Sequence, residues 1–109
     1  MLFQKLFGLF EYGRSWKWPD VRAAYIKLHP SCECCDSKNK LNVHHIIPYH
    51  IDPSKELDMN NLMTLCLSCH LTFGHLMNWK SWNVDVRKDV AWFREKVLKR
   101  PMAKEDLTD

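Results

Sequence analysis

The chain has 109 residues, of which 46% are hydrophobic and 27% are charged, and its formal net charge is +3 at pH 7. This length predicts one domain, and the hydrophobic fraction excludes an intrinsically disordered chain. No apolar run approaches the roughly 20 residues that a bilayer-spanning helix needs. The apolar residues 1–10 lack the small-residue cleavage site of a signal peptide, so we expect a cytoplasmic protein whose cysteines are metal ligands rather than disulfides.

The first predicted elements are a helix, two strands and the loop that joins the strands. Pro19 suits the first turn of a helix, where its missing N–H costs nothing, and Pro30 ends that helix. Apolar residues at helical spacing predict the buried face of this helix: Val21, Ala24, Tyr25 and Leu28. Residues 41–47 are predicted as a strand, residues 48–60 as a loop, and residues 62–65 as a second short strand.

Two further helices are predicted after the second strand. One runs from Cys66 to about Phe73 and is ended by Gly74. Asp85 is the predicted N-cap of the last helix, which Pro101 ends. The apolar face of that helix is predicted to contain Val86, Val90, Phe93 and Val97. The elements together predict an α+β fold with a helix on each side of a small core.

Charge is unevenly distributed along the chain. The net charges of successive segments are +3 for residues 1–31, −2 for residues 32–75, +4 for residues 76–100 and −2 for residues 101–109. An acidic centre suits cations, and basic flanks suit a polyanion such as nucleic acid. An ordinary solvated surface accounts for the charge pattern equally well, so charge alone does not decide.

Two cysteine pairs predict a structural zinc site. Cys32 and Cys35 form one C-x2-C pair, and Cys66 and Cys69 form another. Tetrahedral Zn²⁺ takes four thiolates at about 2.3 Å, and a C-x2-C turn supplies two of them. Cys34 is interpreted as a spare thiol, because pairing it with Cys32 would give a less usual C-x-C geometry. The competing interpretation is four buried cysteines that bind no metal.

The segment between the two pairs contains candidate catalytic residues. Adjacent side chains of a strand point to opposite faces, so His44 and His45 reach one site only at a bend or a strand end. His70 follows a zinc cysteine directly, and one helical residue is about 100° of rotation, so it faces a neighbouring cleft. This spacing predicts a second, open site beside the zinc site.

These residues together resemble a known family. The arrangement Cys32-x2-Cys35, then Leu41-Asn-Val-His-His-Ile-Ile-Pro48, then Asn61-Leu-x2-Leu-Cys66-x2-Cys69-His70 is similar to the HNH endonucleases of the ββα-metal superfamily. The resemblance covers residues 32–75, about two-fifths of the chain. It implies one HNH nuclease domain over residues 1–109, with a ββα-metal core and a structural zinc held by four cysteines. The flanks are residues 1–31 and 76–100, and residues 101–109 are expected to be a loose tail.

The resemblance also implies a mechanism in which a histidine-activated water attacks a phosphodiester beside one divalent cation. It implies that His44 is a ligand of the catalytic metal, that His45 is the general base, and that Asn61 orients this base or approaches the metal. His70 would be the closing histidine and a metal ligand. Mg²⁺, Mn²⁺ or another divalent cation would serve, and the products would be a 5′-phosphate and a 3′-hydroxyl. His75 is five residues after His70, about 140° around an ideal helix, so it is a ligand only if the chain bends back near Gly74.

Basic residues interleaved with tryptophans indicate how nucleic acid would bind, although tryptophan is also common in small cores. The candidate contacts are Arg14, Lys17, His50, Lys80, Arg87 and Lys88. Arg94 is a further candidate for a backbone contact. The expected substrate is DNA, most simply double-stranded, cleaved by nicking or with low specificity.

Two alternatives to a nuclease remain open at this point. One is a non-catalytic zinc module that binds nucleic acid or protein, and the other is a redox or metal-buffering protein. The apolar N-terminal segment would suit packing on the core, a homodimer or a protein partner. A bacterial or phage-infected cell is the expected setting, with phage or mobile-element functions among those that use such domains.

Overall fold

The computed structural model describes residues 15–99. Helix α1 spans Trp18–Leu28 with Pro19 in its first turn, as predicted. Its predicted apolar face is largely wrong, because only Tyr25 is buried while Leu28 is 67% exposed. The helix is anchored by Tyr25, whose hydroxyl donates a 2.7 Å hydrogen bond to the carboxylate of Glu33, and by Trp18, whose ring packs against that of His45.

A two-stranded antiparallel sheet forms the centre of the domain. Strand β1 spans Leu41–His45 and strand β2 spans Leu62–Cys66, so the first strand ends two residues earlier than predicted. The register pairs Leu41 with Cys66 and His45 with Leu62. Every residue of β2 is buried, so it is the inner strand of the core, and β1 lies towards its edge.

Residues 46–61 join the strands as an ordered loop that contains two 3-10 turns. Pro53–Lys55 is capped by the carboxylate of Asp52, and Met59–Asn61 is capped by the carboxylate of Asp58. Asp52 accepts the backbone N–H of Ser54, and Asp58 accepts the backbone N–H of Asn60. Each bond satisfies an N–H group at the start of the turn that has no partner within the turn. The loop therefore has a defined path between the strands.

Helix α2 follows β2 without a gap and changes its winding halfway. It begins as an α-helical turn over Leu67–Cys69 and continues as a π-helical turn over His70–Gly74. The N–H of His75 donates to the carbonyl of His70 at 3.0 Å, which closes this wider turn. The predicted end at Gly74 is confirmed, whereas the wider winding had no signal in the sequence.

Helix α3 spans Val86–Phe93 and continues as a π-helical turn over Arg94–Leu98. Asp85 occupies the N-cap position without a side-chain hydrogen bond, so the predicted cap is wrong in its chemistry. The buried Asn83 holds the start of the helix instead: its side-chain oxygen accepts the N–H of Asp85, and its amide donates to the carboxylate of Asp89 at 2.7 Å. Val97, expected on the buried face, is 49% exposed.

The core lies between the sheet, the cysteine-rich turn and helix α3. Its buried members are Cys32, Cys34, Ile46, Met63, Leu65, Cys66, Cys69, Val86 and Val90, with Phe73 and Phe93 packed against them. The order of two strands followed by a helix, with a cysteine cluster at one end, confirms the predicted α+β, ββα fold. Within residues 15–99, no helix has the length and apolar character needed to cross a bilayer.

Candidate functional site

The four paired cysteines lie together, with their sulfur atoms all within 4.8 Å of one another. The Sγ atoms of Cys35 and Cys66 are 3.8 Å apart, and tetrahedral Zn²⁺ with bonds of about 2.3 Å requires sulfur atoms about 3.8 Å apart. Burial, followed by the charges of neighbouring thiols, raises the pKa of Cys69 above its ordinary range. A bound dication removes that barrier because a coordinating thiol is deprotonated, so the cluster has the spacing and chemistry to hold zinc.

Cys34 is fully buried beside this cluster but is not one of the four clustered ligands. Burial raises the pKa of its thiol to about 11, so the group is protonated at neutral pH. The backbone N–H groups of Cys34 and Cys35 each donate to Sγ of Cys32 at 3.4 Å. Cys34 therefore contacts the sulfur of Cys32 through its backbone N–H.

Two side chains clamp the cysteine turn to the rest of the domain. The carboxylate of Glu33 accepts the N–H of Thr64 at 2.7 Å, which joins the turn to β2. The guanidinium of Arg94 donates to the carbonyl of Cys34 at 2.9 Å and to the carboxylate of Asp36 at 3.1 Å. Arg94, a candidate nucleic-acid contact in the sequence, is therefore occupied in holding this turn.

A second cluster consists of His44, His70 and His75, whose ring nitrogens also lie within 4.8 Å of one another. His44 comes from β1, His70 begins the π-helical turn, and His75 follows it. An ideal α-helix would separate the last two by about 140° around its axis. The wider π turn brings their Nε2 atoms to 3.2 Å instead, so the winding of α2 is what assembles the cluster.

Two histidines of this cluster, His44 and His70, are neutral at neutral pH. Burial and the neighbouring histidines lower the pKa of His44 to about 3 and that of His70 to about 4. Nδ1 of His75 lies 2.7 Å from the carbonyl of Ser81, and because a carbonyl only accepts, Nδ1 carries the proton and Nε2 the lone pair. Nε2 of His44 and Nδ1 of His70 are buried without a hydrogen-bond partner among the described residues.

Three crowded imidazoles, two of which bury a ring nitrogen that has no hydrogen-bond partner among the described residues, fit a divalent cation. The donor set is purely nitrogen, and no carboxylate lines the surrounding cleft within residues 15–99. Imidazole suits zinc, nickel, copper and iron, whereas Mg²⁺ prefers oxygen ligands. The chemistry of the cluster therefore favours a transition metal over the Mg²⁺ named first among the expected cations.

His45 occupies the same cleft, which has a volume of about 420 Å³, although it is adjacent to His44 on the strand. Both reach the cleft because β1 ends at His45. Nε2 of His45 lies 2.9 Å from the carbonyl of Glu56, so Nε2 carries the proton and the lone pair is on Nδ1. Its ring packs against Trp18 with centroids 4.4 Å apart.

Asn61 does not line the cleft. Its amide binds the backbone of the loop: the oxygen accepts the N–H of Ile47 at 2.9 Å, and the nitrogen donates to the carbonyls of Ile47 and Lys55 at 3.0 and 3.1 Å. The residue after Lys55, Glu56, supplies the carbonyl that binds His45. These contacts place Asn61 on the loop whose carbonyl binds His45, which favours the expected orientation of the base over the alternative of a direct approach to the metal.

The candidate nucleic-acid contacts separate into two groups. His50 and Lys80 line the cleft with Trp79 and Trp82, which are neighbours of the histidine cluster. The remaining described candidates, Lys17, Arg87 and Lys88, do not line it.

Among these remaining candidates, two have identifiable contacts within the protein itself. The guanidinium of Arg87 donates to the carbonyl of Leu62 at 2.8 Å, which joins α3 to β2. The ammonium of Lys17 lies 5.5 Å from the ring of Trp16. Arg14, the N-terminal apolar segment and the acidic tail fall outside the described residues.

Sequence reasoning missed Glu56, Ser81 and Gly74. The first two act through backbone carbonyls, for which no side-chain pattern exists. Gly74 lets helix α2 approach the ring of His44 closely, because a Cβ at this position would lie 3.0 Å from Cε1 of His44. Its position at the predicted helix end was the only available signal.

Comparison with known proteins gives two findings. Residues 32–75 match the sequence model of the HNH endonuclease family. A curated protein named Anaredoxin, from Nostoc sp. (strain PCC 7120 / SAG 25.82 / UTEX 2576), is 45% identical over 40 residues, which are 37% of this chain and 50% of the relative. The chain thus spans about half the length of the curated relative it matches. No solved structure matches the chain significantly.

Proposed function

We propose that this protein, in which residues 32–75 form an HNH endonuclease domain, hydrolyses phosphodiester bonds of DNA. One observation carries the proposal. A cluster of three histidines shares one open cleft with a separate histidine whose ring is oriented by a backbone carbonyl. In this proposal His44, His70 and His75 hold one divalent cation, His45 is the general base, and the four paired cysteines hold a structural zinc.

The proton transfer is assigned to His45. Its Nδ1 lone pair accepts a proton from the attacking water, and the imidazolium that forms keeps its Nε2–H on the carbonyl of Glu56. That carbonyl dipole stabilises the positive charge as it develops, and Trp18 restricts rotation of the ring. Asn61 keeps the loop that carries the carbonyl in place.

A bound cation would polarise a phosphate oxygen and stabilise the charge on the leaving oxygen. The chain's part is to hold the three imidazoles in the orientation that ligation requires. Burial disfavours the protonated form of His44, and the carbonyl of Ser81 fixes the tautomer of His75. Lys80 on the rim is placed to neutralise a neighbouring phosphate, with His50 as a second polar contact.

The decisive experiment is cleavage of supercoiled plasmid by zinc-loaded protein with Mn²⁺, Ni²⁺, Co²⁺, Zn²⁺ or Mg²⁺, and with EDTA as the metal-free arm. We expect nicked product with at least one transition metal and less with Mg²⁺. His45→Ala removes the base and should lower the rate by about 100-fold or more. His29→Ala is the matched control, because His29 is exposed and does not line the cleft.

Three outcomes count against the proposal. Nicking that persists in EDTA removes the role of the cation, and equal rates for wild type and His45→Ala remove the assigned base. Absence of nicking by folded wild type with every cation, together with tight DNA binding in an anisotropy assay, identifies a non-catalytic binding module. End-labelling of the nicked strand further tests the expected 5′-phosphate and 3′-hydroxyl.

A further inference from the structure

Trp79 lies between two cavities of the domain. On one side it lines the histidine cleft, and on the other it lines a groove of about 610 Å³. The groove is lined by apolar side chains, including Leu67 and Leu71, and by polar ones, including Asn39 and Lys40. The groove and the proposed catalytic cleft thus share the indole of Trp79.

The indole is placed for stacking rather than for core packing. Its centroid is 5.1 Å from the ring of His70 and 4.9 Å from that of His75. Both histidine rings are inclined to it, by 76° and 55°, so neither stacks on it in parallel. Trp79 is also 52% exposed, which leaves surface available to a planar ligand beside the proposed metal ligands.

The polar part of the lining has the complementary chemistry for a phosphate. Lys40 is exposed and makes no ion pair within residues 15–99. No carboxylate lines the groove in the part of the chain that the structure describes. An aromatic platform, apolar side chains and an exposed cation in one groove are the components with which proteins bind a single-stranded nucleotide.

We propose that this groove receives the base of one unpaired nucleotide next to the scissile phosphate, stacked on Trp79, with the adjoining phosphate at Lys40. The inference rests on the proposed function and narrows its substrate class. A base inside an intact duplex must leave its stack to reach the groove, which costs free energy. Nucleic acid with an unpaired nucleotide, such as a bulge or a single-stranded segment, is therefore the favoured substrate over a perfect duplex.

The test measures binding without cleavage. Full-length, zinc-loaded protein in EDTA-free buffer with no added catalytic cation is titrated into two fluorescent DNA duplexes, identical except for one unpaired nucleotide. Wild type should bind the bulged duplex more tightly. Trp79→Ala should weaken binding of the bulged duplex by about tenfold or more, a larger loss than for the perfect duplex, and Trp79→Phe should restore most of the preference. Trp92→Ala is the control, because Trp92 is 60% exposed on α3 but lines neither cavity.

Three results overturn the inference: equal binding of both duplexes by wild type, equal losses on both duplexes in Trp79→Ala, or no effect of Trp79→Ala. Zinc content and the melting transition of each variant establish that it is folded. The two proposals fail separately. Plasmid nicking without a bulge preference refutes only the stacking site, whereas a Trp79-dependent bulge preference without nicking refutes only the nuclease. If neither DNA binds, the groove is not a nucleotide site.

Discussion

Replacing Gly74 by alanine tests how closely helix α2 approaches the histidine cluster. The added Cβ would lie 3.0, 3.1 and 3.2 Å from three atoms of the His44 ring, closer than ordinary van der Waals contact. The ring of His44 is 2% exposed and packs against His70 and His75 at centroid distances of 4.9 and 5.0 Å. It can therefore move only by opening the cluster.

Two effects of opposite sign decide the stability change. Alanine is better than glycine within a helix by up to about 1 kcal/mol. Overpacking of a filled site costs about 1–3 kcal/mol. We expect the cost of overpacking to exceed the gain in helix propensity, so Gly74→Ala should lower the free energy of unfolding by about 1 kcal/mol. It should also weaken metal binding at the histidines by about tenfold.

A double-mutant cycle isolates the contact. In a His44→Ala background the ring is gone, so Gly74→Ala should become neutral or stabilising, with a coupling energy of about 1–2 kcal/mol. Urea unfolding measures the stability, and calorimetric titration with Ni²⁺ measures the metal affinity. Thr72→Ala is the control for an exposed position on the same turn. Equal destabilisation in both backgrounds would refute the argument that the cost comes from the His44 ring.

Three further predictions concern the zinc site, pH and the base. Cys66→Ser should abolish cooperative melting, because zinc binding of about 10–16 kcal/mol is comparable to the whole stability of a domain. Cys34→Ser should keep its zinc, and zinc loss from that variant would contradict the assignment of the ligands. Burial lowers the pKa of His44 from 6.5 to about 3. As pH falls below 6.5, His44 is therefore protonated in the unfolded chain but not in the folded one, and the free energy of unfolding decreases. At pH 5 this loss should be about 2 kcal/mol larger in wild type than in His44→Gln, both without added metal, and parallel pH profiles from urea unfolding would exclude it. Trp18→Ala should lower kcat more than it raises KM and shift the pH–rate profile, since the ring of His45 loses its support; an unchanged profile with reduced stability would assign Trp18 a structural role only.

The zinc cluster and the general order of elements could be predicted because each depends on local spacing. A C-x2-C turn brings two sulfurs together whatever surrounds it, so Cys32 and Cys35 could be paired from the sequence. The proline and glycine positions likewise indicated where the helices begin and end. The apolar face of α1 was not predictable in the same way. Its spacing is helical, but of the predicted face only Tyr25 is buried in the folded domain, and Leu28 remains exposed.

The candidate site was predictable in its members but not in its geometry. His75 stood as an open question, because an ideal helix places it far around the axis from His70. The carbonyl contacts of Glu56 and Ser81 had no signal at all, because every residue type carries the same backbone oxygen. The contacts of Arg94 had no signal for a related reason: a cation in a basic segment gives no indication of which carboxylate it will meet.

By itself, the sequence determined which cysteines and histidines are candidate metal ligands, the order of strands and helices, and the resemblance of residues 32–75 to one family, since these depend on residue type and local spacing. Only the tertiary structure decided that α2 widens into a π turn and brings His70 beside His75. It also decided that the amide of Asn61 binds the loop and does not line the histidine cleft. Both depend on contacts between segments far apart in the chain, which residue spacing does not contain.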